Sequence, residues 1–321
     1  MTRPKLLVTR HLPEAVEARA ARDYAAALNP YDVPWTRDSL VAAAEGAAGL
    51  LCAAGDPLDA GTIQALPATV KIIATFSVGT DHIALDAAKA RGIAIANTPD
   101  VLSVATAEIA MLLVMMAARR ASEAEALIRA RAWAGWAPTQ LMGVTLEGKR
   151  LGILGMGRIG RELAQMARGF GMQIHYRNRS RLTPELEQGA VFHGEDDAFL
   201  GAIDILSMHI PGGAATRHWL NAERIGRMRP GSIVVNTGRG STVDDVALCA
   251  ALGSGHIRAA GLDVFDGEPK IHPGYLGAPN VSLLPHLGSA TIETRDAMGF
   301  LALDNLDALL LRGEAVPNRV V

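Results

Sequence analysis

The stretch Leu151-Gly152-Ile153-Leu154-Gly155-Met156-Gly157-Arg158-Ile159-Gly160 joins a short aliphatic run to three glycines at G-x-G-x-x-G spacing, and a helix-forming run from Arg161 to Arg168 follows. Alone, such a triplet is a weak signal. Set between a strand and a helix it is the dinucleotide-binding fingerprint. Gly155 makes the tight turn, Gly157 lets the backbone approach a pyrophosphate, and Gly160 allows the helix to lie close on the strand. The helix start offers free N–H groups and partial positive charge to the phosphates. Gly155, Gly157, Arg158, Ile159 and Gly160 are therefore expected to contact a dinucleotide.

Working outward, short β-branched or aliphatic runs alternate with Ala-rich helical stretches, the pattern of an α/β protein with parallel sheets. Before residue 100 the candidate strands are Leu6–Val8, Gly49–Cys52, Lys71–Thr75 and Ile93–Ile95, which make one small doubly wound sheet. A helix over Val104–Arg120 leads to a second series: Leu151–Leu154, Gln173–Tyr176, Asp204–Met208, Ile233–Val235, Ala259–Val264 and Val281–Leu284. A last helix, Thr291–Leu311, is too short to be a domain and is expected to pack on the first sheet.

Composition narrows the partners. The 321 residues carry 31 basic and 33 acidic side chains, so no basic stripe marks a nucleic-acid backbone site. A small-molecule site is expected instead. Val101–Ala118 is apolar enough to raise a membrane span, but Glu108 near its middle favours a buried helix. The N-terminus shows no signal-peptide pattern, and a cytoplasmic location is the default. The two cysteines, Cys52 and Cys249, stand in apolar contexts without metal-ligand spacing and read as buried structural thiols. No metal site is expected.

The strand after the fingerprint ends in Tyr176-Arg177-Asn178-Arg179-Ser180-Arg181. An NAD-specific site places an Asp or Glu here on the adenosine ribose, and that carboxylate would repel a 2′-phosphate. The turn is basic instead. Arg179 with Ser180, beside Asn178 and with Arg177 or Arg181 as further partners, suits the 2′-phosphate of NADP(H), which is expected over NAD(H).

Three later strands each deliver one functional group into a loop. Ile233-Val234-Val235-Asn236-Thr237-Gly238-Arg239-Gly240 supplies Arg239, the segment Ala260–Pro269 supplies Glu268, and Val281–Ser289 supplies His286. Ligands of open α/β sheets bind beyond the carboxyl ends of strands. Hydride exchange with a 2-oxo acid needs a cation for the carboxylate and carbonyl oxygen and a proton donor for the developing alkoxide. Arg239 fits the first task through its planar fork, and His286 fits the second. Glu268 is expected to orient the imidazole. The loop Ser77-Val78-Gly79-Thr80-Asp81 can offer the Val78 and Gly79 amides to a substrate carboxylate.

These segments, with Gly148–Ile153, His209-Ile210-Pro211, Asp263-Val264-Phe265 and Pro285-His286-Leu287-Gly288, resemble the D-isomer-specific 2-hydroxy acid dehydrogenase family over nearly the whole chain. The resemblance implies Arg239, Glu268 and His286 as catalytic residues, a homodimer and a D-2-hydroxy acid product. It implies cofactor contacts from Thr106, His209, Pro211, Thr237, Asp263 and Gly288. The implied architecture is two doubly wound parallel-sheet domains, a Rossmann cofactor domain (102–286) inserted in a flavodoxin-like substrate domain (1–101 plus 287–321). The 35 residues after His286 are expected to hold no regulatory domain of the kind found in phosphoglycerate dehydrogenases.

Within the family the basic turn and Trp133-Ala134-Gly135-Trp136-Ala137-Pro138 are most similar to NADPH-dependent glyoxylate/hydroxypyruvate reductases, which makes Trp136 a substrate-site candidate at the neighbouring subunit. Another 2-oxo acid reductase, or a formate or phosphite dehydrogenase, stays open within the family. The Glu268 and His286 pair disfavours formate, whose oxidation releases no alcohol proton. A nucleotide-sensing corepressor without turnover is the alternative outside enzymology, since fold alone does not fix function.

Overall fold

The structure, a computed structural model, describes residues 3–321. The chain divides into two compact units, one running to Leu102 and resuming over Ala290–Val321, the other spanning Ser103–Ser289.

The first unit is built on five parallel strands, β1 (Lys5–Val8), β2 (Ala25–Ala27), β3 (Gly49–Cys52), β4 (Ile72–Thr75) and β5 (Ala94–Ala96), in the order β2-β1-β3-β4-β5. This is the flavodoxin-like order. β3 and β4 are buried along their whole length, as strands covered on both faces must be. The helix Ile292–Leu310 covers this sheet, and Gly49 leaves room for it: a Cβ there would stand 3.0 Å from Leu310 Cδ1. The expected docking of the last helix is thus observed.

The second unit holds seven parallel strands, β6 (Arg150–Leu154), β7 (Gln173–Arg177), β8 (Val191–His193), β9 (Ile205–Met208), β10 (Ser232–Asn236), β11 (Ile257–Leu262) and β12 (Val281–Leu283). Their order is β12-β11-β10-β9-β6-β7-β8, a Rossmann sheet with one additional strand. The chain winds outward from β6 through β7 and β8, then returns to β9 on the other side. The β6/β9 boundary is therefore the topological switch point, where such sheets bind ligands.

The apolar helix Ser103–Arg119 buries Ala107, Ala110, Leu113 and Val114 in the core on one face of this sheet. Gly261 permits its close approach to β11, since a Cβ there would lie 2.8 Å from that of Leu113. Among the described residues no helix is long and apolar enough to cross a membrane. Two strands escape the sequence reading, β2 and β8. Both have three residues and lie at sheet edges, and Ala25-Ala26-Ala27 carries no strand preference of its own.

Candidate active site

The glycine turn occupies the switch point. Gly155 has φ +89°, and its N–H donates to Arg177 O at 3.0 Å. A Cβ on it would stand 3.1 Å from the His209 backbone, beyond the end of β9. At Gly160 a Cβ would meet Gly155 O at 2.7 Å and Ile153 Cγ2 at 2.9 Å, so this glycine serves the seat of the helix on the strand.

Gly157 differs from both. Its φ is −82° and nothing lies within 4 Å of the Cβ it lacks, so the protein's own structure does not require glycine there. Gly157 is also the N-cap of the Arg158–Gly169 helix and provides no side-chain cap. Open space facing uncapped N–H groups is what a pyrophosphate needs, and the residues fit a dinucleotide. The helix starts at Arg158, three residues earlier than the run read from sequence. Arg158 is exposed and Ile159 half-buried.

Beyond β7, Asn178 ties the basic turn to the glycine loop, its Oδ1 accepting from Met156 N at 2.7 Å. Two of the arginines read as further phosphate partners are engaged elsewhere. Arg177 Nε donates to Asp196 Oδ1 at 2.9 Å, and Arg181 Nε donates to Glu187 Oε1 at 2.7 Å. Carboxylates on neighbouring elements, invisible in the local sequence, hold both, and Asp196 is shared with Arg224. Arg179 and Ser180 stand exposed at the tip of the turn.

Further along the strand ends, His209 Nε2 lies 2.9 Å from Ser207 Oγ and its Nδ1 3.2 Å from Thr237 Oγ1. Desolvation drives the His209 imidazole down to about 4, so the ring is neutral around pH 7. Pro211 is exposed on the following loop. Asp263 accepts from Leu287 N at 2.6 Å and Gly288 N at 2.8 Å. Burial pushes its carboxyl up, opposed by those amides and by the His286 charge. A Cβ on Gly288 would lie 3.3 Å from Thr106 Cγ2, so Thr106, Asp263 and Gly288 form one cluster.

Arg239, Glu268 and His286 follow three adjacent strands, β10, β11 and β12. The buried Asn236 at the end of β10 clamps the first loop, accepting from Gly238 N at 3.0 Å and donating to Arg239 O at 2.9 Å. Gly240 lays that loop on the next one: a Cβ there would fall 1.8 Å from Phe265 C. Phe265 N in turn donates to Glu268 Oε1 at 2.8 Å, and the other oxygen, Oε2, lies 2.8 Å from His286 Nδ1.

His286 adopts φ +56°, held by its own N–H donating to Asp263 O at 2.9 Å. Burial favours a protonated Glu268, but the His286 bond, the Phe265 amide and the charges of His286 and Arg239 outweigh it, leaving this carboxyl below its ordinary value. The result is a carboxylate–imidazole pair in which Nδ1 is committed to Glu268. Sequence reading missed Asn236 as the residue shaping the Arg239 loop; its burial at a strand end is a property of the sheet.

In the first unit the loop after β4 is held by its carbonyls. Asn97 Nδ2 donates to Val78 O at 2.8 Å and Ser77 Oγ donates to Gly79 O at 2.7 Å. Thr75 Oγ1 lies 2.8 Å from Ser77 Oγ and 3.1 Å from His82 Nε2, which steadies the hydroxyls. Asn97 and Ser77 were not singled out from sequence. Trp136 lies in an irregular segment of the second unit and is 81% exposed. Cys52 is buried as expected, but Cys249 is not: it is half-buried with Sγ 3.6 Å from His272 Nδ1, because its helix turns that side toward the segment after Glu268.

Residues 111–288 match the family model described as D-isomer specific 2-hydroxyacid dehydrogenase, NAD binding domain. The chain belongs to the D-isomer-specific 2-hydroxy acid dehydrogenase family. Among family members, a glycerate dehydrogenase from Hyphomicrobium methylovorum is 43% identical over 311 residues, covering 96% of this chain and 97% of that one. A glyoxylate reductase from Thermococcus litoralis is 38% identical, covering 99% and 97%. The NADPH-dependent glyoxylate/hydroxypyruvate reductase from Sinorhizobium meliloti, solved with NADP and malonate, superposes with a TM-score of 0.88 at 34% identity, covering 100% and 97%.

Proposed function

We propose that this member of the family reduces a small 2-oxo acid, glyoxylate or hydroxypyruvate, to the D-2-hydroxy acid with NADPH. The observation that carries the reading is the Glu268–His286 pair, 2.8 Å apart, on the loops that follow β11 and β12, next to the loop that carries Arg239 after β10. When bound, the reduced nicotinamide supplies the hydride. Arg239 binds the substrate carboxylate and polarises its carbonyl oxygen, a task its permanent charge and planar fork suit. His286 donates a proton from Nε2 to the developing alkoxide while Glu268 holds Nδ1 and favours the imidazolium. Val78 and Gly79 receive the substrate carboxylate through their amides, whose carbonyls are already tied back by Asn97 and Ser77.

In this reading the unit Ser103–Ser289 is the cofactor domain and the other unit is the substrate domain. Gly155, Gly157 and Gly160 with Arg158 and Ile159 cradle the pyrophosphate. Thr106, His209, Pro211, Thr237, Asp263 and Gly288 line the remainder, and Asn178, Arg179 and Ser180 take the 2′-phosphate. Selectivity for NADPH is supported by the absence of a carboxylate on residues 177–181 and by exposed Arg179.

We infer a homodimer acting in the cytoplasm. Support for self-association comes from Leu112, Met115, Ile128, Trp133, Trp136 and Met142, large apolar side chains exposed within one segment. Trp136 reaches the substrate site of the neighbouring subunit. The test is turnover with a panel of 2-oxo acids and both cofactors, followed at the reduced nicotinamide absorbance. Fastest loss with NADPH and glyoxylate or hydroxypyruvate supports the reading, and no loss with any substrate rejects it.

A further inference from the structure

We infer that Tyr176 is a positioning residue for cofactor selectivity: with Glu187, its phenol holds the 178–182 turn in the shape that presents Arg179 and Ser180 to a 2′-phosphate. This rests on the NADPH reading above and goes beyond it, because neither Tyr176 nor Glu187 reaches the tip of the turn.

Tyr176 is fully buried near the end of β7, its ring 5.2 Å from that of Phe192. The phenol is used twice. It donates to Glu187 Oε1 at 2.5 Å and accepts from Leu182 N at 2.9 Å. Glu187 holds Arg181 with both oxygens, at 2.7 and 3.0 Å. The backbone that carries Glu187 is itself anchored, since Arg168 of the helix behind the glycine turn donates to the carbonyls Glu187 O and Gln188 O, each at 3.0 Å. Arg181 and the Tyr176 phenol keep Glu187 below the usual carboxyl range, so the clamp is ionised at neutral pH.

The turn is thus pinned at both ends. Asn178 is bound to Met156 N of the glycine loop, and Leu182 and Arg181 are bound to the phenol and carboxylate. Between the pins stand Arg179 and Ser180, the exposed tip. The same arrangement ties the neighbouring guanidiniums away from the tip: Arg177 is held by Asp196, which also takes Arg224, and Arg181 is held by Glu187, so Arg179 is the cation presented at the tip. Preorganisation of this kind lowers the ordering cost of binding a phosphate. A dinucleotide without the 2′-phosphate gains nothing from it.

The experiment measures KM for NADPH and NADH, kcat and Tm for the wild type, Arg179→Ala and Tyr176→Phe, with glyoxylate as substrate. Tyr176→Phe keeps the ring and removes one hydroxyl. The expected result is a rise of about fivefold or more in KM for NADPH, the worth of one hydrogen bond, with KM for NADH and kcat within about twofold. Equal rises for both cofactors mean a merely structural role and overturn the proposal, as does an unchanged KM for NADPH. Should Tyr176→Phe fail to fold, Glu187→Gln is read in the same way, because it keeps an acceptor for the phenol and releases Arg181. A wild type that favours NADH rejects the NADPH reading and this inference together. A wild type that favours NADPH through Arg179, with a selectivity unmoved by Tyr176→Phe, rejects this inference alone.

Discussion

His286 Nδ1 and Glu268 Oε2 lie 2.8 Å apart, on loops that leave neighbouring strands of one parallel sheet. The sheet sets their spacing, and in the proposed function the other imidazole nitrogen, Nε2, serves the substrate. Replacing His286 by alanine removes the proposed proton donor, and kcat should fall by about 10²- to 10⁴-fold. His286→Asn is the sharper variant. Asparagine tolerates the φ of +56° that His286 adopts, so the backbone is kept and the loss is chemical. Steady-state kinetics beside a circular dichroism melt check this.

The pH dependence follows from Glu268. Its carboxyl lies below the ordinary value, so the contribution of the pair is present above that value and is lost as pH falls through the depressed one. Reduction should therefore show no acid limb from this group above about pH 4.3, the ordinary glutamate value. Glu268→Gln removes the charge at constant shape and should lower kcat at every pH. An unchanged kcat in that variant would separate Glu268 from the chemistry.

Gly157 and Gly160 make a second contrast. Alanine at Gly160 would place its Cβ 2.7 Å from Gly155 O, and overpacking against backbone should cost about 1–3 kcal/mol and lower Tm. Alanine at Gly157 meets nothing within 4 Å. Tm should hold while KM for NADPH rises at least tenfold, because the proposed function gives that space to the pyrophosphate. A Gly157→Ala enzyme with normal cofactor KM would remove this glycine from the cradle.

At the substrate end, Arg239→Lys keeps the charge but loses the planar fork. KM for glyoxylate should rise by an order of magnitude, about 1.4 kcal/mol, with KM for NADPH little changed. The glycines beside it carry another expectation. Gly240→Ala would drive a Cβ to 1.8 Å from Phe265 C, pushing the Arg239 loop off the Glu268 loop, and should lower kcat/KM even where the protein still folds.

What could be read from the chain follows what local pattern encodes. Among the described residues, the apolar runs mark ten of the twelve strands, and the glycine spacing marks the switch-point turn independently of the sheet order. The groups Arg239, Glu268 and His286 were legible because each ends an apolar run, although their spacing was not. The misses are long-range. That Arg177 and Arg181 are engaged away from the tip depends on Asp196 and Glu187, carboxylates on other elements. The role of Asn97 in holding Val78 O depends on β5 lying beside β4. Cys249, apolar in its sequence context, faces His272 because of how its helix is rotated on the sheet.

The central claim is most directly tested by supplying hydroxypyruvate and NADPH and resolving the product by chiral chromatography. The account predicts D-glycerate in one-to-one proportion to the NADPH consumed. L-Glycerate, or hydroxypyruvate left unreduced by a folded enzyme, would contradict it.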